Sequence, residues 1–145
     1  MFILDTDHIG ILQRQSGVGF HRLVERLAQF PEIAFHLPII SFHEQALGWH
    51  TYINRAKSIA RVIDGYRMFQ LVLKDFNTFK VLPFDDSAAD IFTSLKKMKL
   101  RVGSMDLRIG SIALANGFTV LTRNFVDFQK IPGVKVEDWT AGPPR

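Results

Sequence analysis

Five polar side chains lie next to buried segments of this chain, where together they could bind a metal ion. Asp5 directly follows a short apolar run, and Glu44 comes shortly after a second one. Asn124 and Asp127 follow a third apolar run, and Asp106 falls where a helix is predicted to begin. Carboxylates crowded at one site repel one another, and we expect a divalent cation to balance them because these loops lack matching Lys or Arg.

All-oxygen ligands select a hard ion such as Mg²⁺ or Mn²⁺. One such ion, or two at about 3.5–4 Å, can activate water and stabilise the leaving oxygen in phosphodiester cleavage. The chain also carries 18 Lys and Arg against 14 Asp and Glu, a net charge of +4. A positive surface attracts a polyanionic backbone, so this combination indicates hydrolysis of nucleic acid.

Each of these acids also has a purely structural alternative. Asp5 and Asp7 suit turns and helix caps. Asp106 could simply be stabilised by the dipole of the helix that it opens. Glu44 lies three residues after Ser41, the spacing of a capping box at a helix start.

The loop that holds Asn124 and Asp127 leaves two possibilities open. Asn124 offers a neutral carbonyl oxygen, which is a poorer Mg²⁺ ligand than a carboxylate. Asp127 could supply the negative charge that Asn124 lacks if the loop begins a helical turn, because such a turn places residues three apart on the same side. Its alternative role is to cap the turn before Phe128. We predict that Asp127 contributes to the metal site and that Asn124 orients the attacking water or the loop.

The stretch from 102 to 128 predicts how a helix and a strand position these groups. Ser104 is the predicted N-cap and Asp106 lies in the first turn, where the helix dipole favours negative charge. Gly117 supplies a left-handed exit, and residues 118–122 have the composition of a buried strand.

Strands alternate with helices along the whole chain. This alternation predicts a single domain over residues 1–145, an α/β fold of three layers (α/β/α) with a central parallel β-sheet. Sites in such sheets form beyond the carboxyl ends of the strands. Helices are expected near 9–13 and over 20–30, over 44–76 with possible breaks at Gly48 and Gly65, and from Asp86 or Ser87. Strands are expected at 2–4, 33–41, 78–82, 118–122 and 134–136.

Composition excludes several classes of protein. With no cysteine, the chain has no disulfide, zinc–thiolate site or cysteine nucleophile, and a cytoplasmic location is compatible. The amino terminus has acids inside its apolar run, so we expect neither a signal peptide nor a membrane span. Ser41 has no candidate His–Asp relay, and the histidines lack ligand spacing. Trp49 and Trp139 are predicted to be packing residues, and the Gly-Pro-Pro end is expected to fray.

The blocks LDTDHI, SFHEQALGW, MDLRIGSIALANG and LTRNFVDFQKIPGVKVEDW resemble those of PIN domains, in particular VapC-type ribonuclease toxins of bacterial toxin–antitoxin pairs. The resemblance covers essentially the whole chain. It implies an Mg²⁺- or Mn²⁺-dependent endoribonuclease that acts on RNA, is inhibited by a cognate VapB-like antitoxin and is usually homodimeric. Asp5, Glu44 and Asp106 match the three core acids of that family. The fourth position falls on Asn124, with Asp127 as the nearby acid.

Two other functions remain open from the sequence. A phosphatase of the haloacid dehalogenase type would use Asp5 and Asp7 in its nucleophile motif, but it needs a Lys and a further acidic pair. Alternatively, the chain could be an inactive PIN-like module that binds RNA or protein. The amphipathic region from about Gly48 to Phe76 could be core, or an arm that binds another chain.

Overall fold

The computed structural model describes residues 1–142, so the predicted fraying of the last residues falls on 143–145, outside the described part. Strands and helices alternate within it as predicted. The elements are β1 (Phe2–Leu4), α1 (Thr6–Arg14), α2 (Val18–Leu27), a 3₁₀ turn (Glu32–Ala34), β2 (Phe35–Pro38), α3 (Ile39–Arg55), α4 (Ile59–Thr78), β3 (Lys80–Leu82), α5 (Asp86–Lys97), α6 (Ser104–Asn116), β4 (Thr119–Leu121), α7 (Phe125–Phe128) and β5 (Val136–Glu137). Of the helices described, none is long and apolar enough to cross a membrane.

The five strands form one parallel sheet in the order β3-β2-β1-β4-β5. In chain order, β2 and β3 are added on one side of β1, and β4 and β5 are then added on the other side. The strand order therefore reverses between β1 and β4, and in open parallel sheets ligands bind beyond the carboxyl ends of the strands at this point. Helices cover both faces, which confirms the predicted three-layer α/β/α fold with a central parallel β-sheet.

The two faces of the sheet bury separate apolar clusters, because successive strand side chains point to opposite faces. Ile3 and Val120 point to the side covered by α5 and α6. Leu4 and Leu121 point to the opposite side, where α1, α2 and Trp139 cover them. β1 and β4 are thus buried on both faces, and this holds the site between them in a rigid frame.

The stretch from 102 to 128 folds largely as predicted. α6 places Asp106 in its first turn and ends at Gly117 in the left-handed conformation, with φ 69°. The predicted N-cap at Ser104 is wrong, because Gly103 is the N-cap and Ser104 is already helical. Gly103 has an extended backbone and its carbonyl accepts the first helical bond, from the Leu107 N–H at 2.9 Å.

The capping box predicted for Ser41 and Glu44 is also wrong. α3 begins two residues earlier, at Ile39, directly after Pro38. Pro38 is the last residue of β2, and its fixed φ and missing N–H suit it to a position just before a helix. Ser41 and Glu44 therefore lie inside α3, where their side chains are free to make tertiary contacts.

The region predicted to be mostly helical, with possible breaks at Gly48 and Gly65, is a pair of helices, α3 and α4, separated by residues 56–58. Gly65 does not interrupt α4 but lets α3 approach it closely. A Cβ atom at Gly65 would lie 2.5 Å from Ile53 Cγ1 and 3.0 Å from Tyr52 Cδ1. The two helices consequently pack as a tight hairpin.

The remaining boundaries differ from the predictions by a few residues. α1 begins immediately after Asp5, and α2 ends at Leu27, three residues before its expected end. α5 begins at Asp86, as predicted, and is capped by Asp85, whose carboxylate accepts the Ala88 N–H at 3.0 Å. β1 matches its predicted range, whereas β2, β3 and β4 are shorter than predicted. β5, at Val136–Glu137, extends one residue beyond its predicted end.

Candidate metal centre

A pocket of about 450 Å³ opens at the carboxyl ends of β1 and β4, where the strand order reverses. Asp5, Thr6, Glu44, Asp106 and Asn124 line one part of it. The structure therefore brings the three predicted core acids and Asn124 to one place, although they come from four separate stretches of sequence.

Asp5 is held rigidly at the start of α1. One carboxylate oxygen accepts the Thr6 N–H at 2.7 Å, and the other accepts the Thr122 hydroxyl at 2.7 Å. Its own N–H donates to the Leu121 carbonyl at 2.9 Å, which ties the end of β1 to the end of β4. Burial, followed by the charge of Asp7, raises the pKa of the Asp5 carboxyl to about 7. Its ionised form is therefore costly without a nearby positive charge.

Asp106 faces the same pocket from the first turn of α6. Burial raises the pKa of its carboxyl to about 6, and the charges of Glu44 and Asp127 contribute further. The Asn124 amide opposes this shift by donating a hydrogen bond to Asp106 Oδ2 at 3.1 Å. Two carboxyls of one pocket thus have pKa values well above the ordinary range, which is common at functional sites.

Glu44 is positioned by hydroxyl groups that the sequence analysis missed. Glu44 Oε1 accepts the Thr6 hydroxyl at 2.8 Å, and Ser41 Oγ lies 2.9 Å from the same Thr6 oxygen. Because a hydroxyl has only one proton, Thr6 donates to the carboxylate and Ser41 donates to Thr6. This relay fixes one oxygen of Glu44 and leaves the other for the pocket.

Asn124 lies between the carboxylates of Asp106 and Asp127, and Asp127 is the farther of the two from the pocket. The Asn124 amide nitrogen donates to Asp106 at 3.1 Å and to Asp127 Oδ2 at 3.0 Å. Asp127 Oδ1 also accepts from Lys130 Nζ at 3.2 Å. The Asn124 amide, followed by the Lys130 ammonium, lowers the pKa of the Asp127 carboxyl. Asp127 reaches the pocket through Asn124 and is not among the residues that line it.

The expectation that no basic side chain accompanies these acids is wrong in two places. Lys130 pairs with Asp127, and Arg14 lines the pocket from α1. Neither contacts Asp5 or Asp106 in the hydrogen bonds and ion pairs of residues 1–142, so those two carboxylates still lack a positive partner there.

Thr122 connects Asp5 to Asp7 and was not singled out from the sequence. It is fully buried, and its hydroxyl oxygen lies 2.7 Å from Asp5 Oδ2 and 3.2 Å from Asp7 Oδ2. The same oxygen accepts the Asn124 N–H at 3.0 Å, and Asp7 accepts the Arg123 N–H at 2.9 Å. Its position as the last residue of the predicted strand 118–122, at the carboxyl end of that strand, was the signal that could have found it.

His8 supports this network from inside the protein. It is completely buried, with Nδ1 2.8 Å from Asp7 Oδ1 and Nε2 3.3 Å from the backbone nitrogen of Trp139. Because the Trp139 N–H can only donate, Nε2 accepts and Nδ1 carries the proton. Asp7 is thereby held by His8 on one side and by the β4 end on the other.

The donor set fits a hard divalent cation. Residues 1–142 contain no group of three or more His, Cys, Asp or Glu side chains arranged to surround a metal ion. Mg²⁺ does not need one, because it keeps several waters and is usually bound through one or two carboxylates. Asp5 and Asp106 provide two carboxylates whose charged forms need compensation, and Glu44 provides a third nearby.

Comparison with solved structures identifies proteins of the same architecture. A chain of the DNA-bound VapBC complex from Salmonella typhimurium is 25% identical over 95% of this chain and 97% of that chain, with a TM-score of 0.74. A chain of FitAB bound to an IR36 DNA fragment is 24% identical over 99% of each chain, also with a TM-score of 0.74. A chain of VapBC-1 from nontypeable Haemophilus influenzae is 21% identical over 97% of this chain and 98% of that chain, with a TM-score of 0.73.

Neither a protein-family model nor a curated protein matches the sequence. The structural similarity nevertheless extends over nearly the full length of both partners in each comparison. Together with the sheet order and the pocket at the ends of β1 and β4, it confirms the resemblance found in the sequence: this chain has the PIN-domain fold and is similar to the VapC toxins of VapBC toxin–antitoxin complexes.

Proposed function

We propose that this chain is the toxin of a toxin–antitoxin pair and acts as an Mg²⁺-dependent endoribonuclease, with Mn²⁺ as a possible substitute. The observation that carries the proposal is the pair Asp5 and Asp106, two carboxyls with raised pKa values at the ends of neighbouring elements of one pocket. Asp5 also caps α1 by accepting the Thr6 N–H, but a cap does not require a buried carboxyl, and each carboxylate would destabilise the folded chain if its charge were left uncompensated.

Asp5 and Asp106 would hold the metal, and the bound ion would supply water activation and charge stabilisation at the phosphate. The chain's own groups prepare these ligands. Thr122 and the Thr6 N–H fix the orientation of Asp5, and Asn124 does the same for Asp106. Glu44, held by Thr6, would accept a hydrogen bond from water through its second oxygen.

The charge distribution supports a polyanionic substrate. Four acids and one basic side chain, Arg14, line the pocket, whereas the net charge of the chain is +4, so most basic side chains lie elsewhere. A basic run ends α5 and continues towards α6, and it consists of Lys96, Lys97, Lys99 and Arg101. Basic side chains outside the pocket attract the phosphate backbone, and binding of this kind weakens as salt concentration rises. We place this activity in the cytoplasm, where RNA is accessible.

The α3–α4 hairpin is the surface that we assign to a VapB-like antitoxin. Exposed apolar side chains on it include Leu47, Ile63 and Leu73, and a groove of about 510 Å³ lies between Phe42 and Tyr66. An amphipathic helix could place its apolar face there. Co-expression with the neighbouring reading frame, followed by size-exclusion chromatography with light scattering, tests both this partner and the proposed homodimer. Recovery of the lone chain as a monomer would contradict both.

A phosphatase of the haloacid dehalogenase type is not favoured by the pocket. Such an enzyme needs a lysine beside its aspartates, and no lysine lines this pocket in the described chain. Asp7, its required acid, is instead occupied by His8, Thr122 and the Arg123 N–H. Formation of a covalent aspartyl-phosphate would favour the phosphatase over the nuclease.

The decisive experiment is Mg²⁺-dependent cleavage of RNA by purified protein, with Asp5→Asn and Asp106→Asn as test variants. Each should abolish cleavage while the chain remains folded. Asp90→Asn is the matched control, because it makes the same chemical change on an exposed face of α5, away from the pocket. Mg²⁺ should raise the melting temperature of the wild type and the control, but not of the two test variants. Substantial cleavage by either test variant would refute the assignment.

A further inference from the structure

The pocket has a second half that the metal ligands do not use. Its lining comes from α1, α3 and α4 and consists of Gly10, Gln13, Arg14, Gln45, Trp49 and Met68. This set combines an aromatic ring, a thioether, amides and a guanidinium, all next to the acids. It therefore has the mixed apolar and polar composition of a ligand site.

Trp49 forms an aromatic wall close to the acids. It follows Glu44 by five residues on α3, which separates their Cα atoms by about 7.5 Å along the helix axis. Its ring meets Tyr52 edge-to-face, with centroids 5.4 Å apart, and it still lines the pocket. The prediction of a packing role is confirmed for Trp139, which is fully buried, whereas Trp49 is only partly buried.

Gln13 and Gln45 form a buried amide pair in the same half of the pocket. Gln45 Nε2 donates to Gln13 Oε1 at 2.8 Å, and Gln13 Nε2 donates back to Gln45 Oε1 at 3.2 Å. Gln13 also donates to the Asp75 carboxyl, so after this exchange Gln45 keeps one further N–H, and each amide keeps one further carbonyl lone pair. The pair is thus fixed in orientation and can still offer a donor and an acceptor to a planar, polar ligand.

Arg14 supplies a positive charge at the edge of this half. Its guanidinium lies over Gly10, where a Cβ atom would be only 3.2 Å from an Nη atom. The absence of a side chain at Gly10 therefore leaves room for the guanidinium beside the pocket. Arg14 forms no ion pair within residues 1–142, so its charge is available to a ligand.

From these contacts we infer that this half of the pocket binds one nucleobase of the RNA, next to the phosphate that is cleaved. The base stacks on Trp49, the Gln13–Gln45 pair hydrogen-bonds its edge, and Arg14 binds an adjoining phosphate. Aromatic rings bind single-stranded RNA in this way because every base has a π-face. The inference rests on the proposed nuclease function, whose substrate it specifies further.

Nucleoside 5′-monophosphates test the subsite without any cleavage, because they contain no phosphodiester bond. The chain has two tryptophans, and the other one is fully buried, so ligand-dependent fluorescence reports on Trp49. In the presence of Mg²⁺, at least one of AMP, GMP, CMP and UMP should quench this emission. Ribose 5-phosphate, which has a phosphate but no base, should not.

Substitution of Trp49 separates stacking from simple packing. Trp49→Leu should raise the Kd for the preferred monophosphate about tenfold in calorimetry, a loss of about 1.4 kcal/mol. Trp49→Phe should restore affinity to within about threefold, because it keeps an aromatic face. Tyr52→Leu is the matched control, since Tyr52 contacts Trp49 without lining the pocket, and it should bind like the wild type.

The outcomes distinguish failure of the subsite from failure of the nuclease function. Quenching of Trp49 by a monophosphate in a protein that cuts no RNA would support the subsite and refute the nuclease. RNA cleavage with no effect of Trp49→Leu on monophosphate binding would overturn the subsite alone. Equal binding of ribose 5-phosphate, or quenching by an antitoxin peptide and by none of the four monophosphates, would also overturn it.

Discussion

Removal of the Asp5 charge should make the metal-free protein more stable at neutral pH. Burial and the charge of Asp7 raise the pKa of Asp5 from 3.8 to about 7. Between these two values the folded chain binds more protons at this group than the unfolded chain does, so this group lowers stability as pH rises. The full cost is present above about pH 7 and absent below about pH 4. Asp5→Asn cannot ionise and avoids this cost.

The size of the stability change follows from the pKa shift of Asp5. One pKa unit corresponds to about 1.36 kcal/mol, so a shift from 3.8 to about 7 costs about 4 kcal/mol. The substitution keeps an acceptor for the Thr6 N–H but disturbs the bond from Thr122, a loss of about 1 kcal/mol. We therefore expect Asp5→Asn to be about 1 kcal/mol less stable than wild type near pH 4 and about 3 kcal/mol more stable near pH 8.

Urea titrations with EDTA at several pH values between 4 and 8 measure this difference. The other titrating groups cancel to first order when the variant is subtracted from the wild type. Asp90→Asn should follow the wild type at every pH, because Asp90 is exposed. Added Mg²⁺ should stabilise the wild type at pH 8 and leave Asp5→Asn unchanged. A difference that does not vary with pH would refute the argument that burial destabilises the Asp5 carboxylate.

Three further substitutions test other parts of the site and frame. Glu44→Gln should reduce RNA cleavage less than the aspartate substitutions do, because the Thr6 hydroxyl can still donate to an amide oxygen; complete loss in the same assay would contradict this. Asp127→Asn should raise the Mg²⁺ concentration for half-maximal cleavage while hardly changing the melting temperature, and the reverse result in a metal titration and melting curve would indicate a structural role. Gly65→Val should lower the free energy of unfolding by about 1–3 kcal/mol, because its Cβ would crowd Ile53, and an unchanged urea midpoint would contradict that packing.

Local signals predicted most of the frame. The left-handed exit at Gly117 and the position of Asp106 in a first turn each depend on a few neighbouring residues, and both are confirmed. The capping box at Ser41 was wrong because Pro38 allows the helix to begin earlier. A local motif cannot show that Ser41 is instead buried against Thr6, a contact between residues 35 positions apart.

The contacts that orient the acids could not be predicted from local patterns. Thr122 reaches Asp5 only because β4 pairs beside β1, and strand order is not encoded in the composition of either strand. His8 similarly depends on the approach of Trp139. The position of Arg14 over Gly10 is different, since residues four apart on a helix are neighbours and the spacing could have indicated it.

The placement of β1 at the centre of the sheet also determines when the pocket can form during synthesis. β1 leaves the ribosome before β4, which is one of its two neighbours in the sheet, and the bond between Thr122 and Asp5 spans 117 positions. Contacts of such long range form late, because a long loop must be closed before they contribute any stability. Asp5 and Asp106 can therefore be brought together only after β4 has emerged. A nascent or prematurely terminated chain that ends before β4 would lack the assembled site.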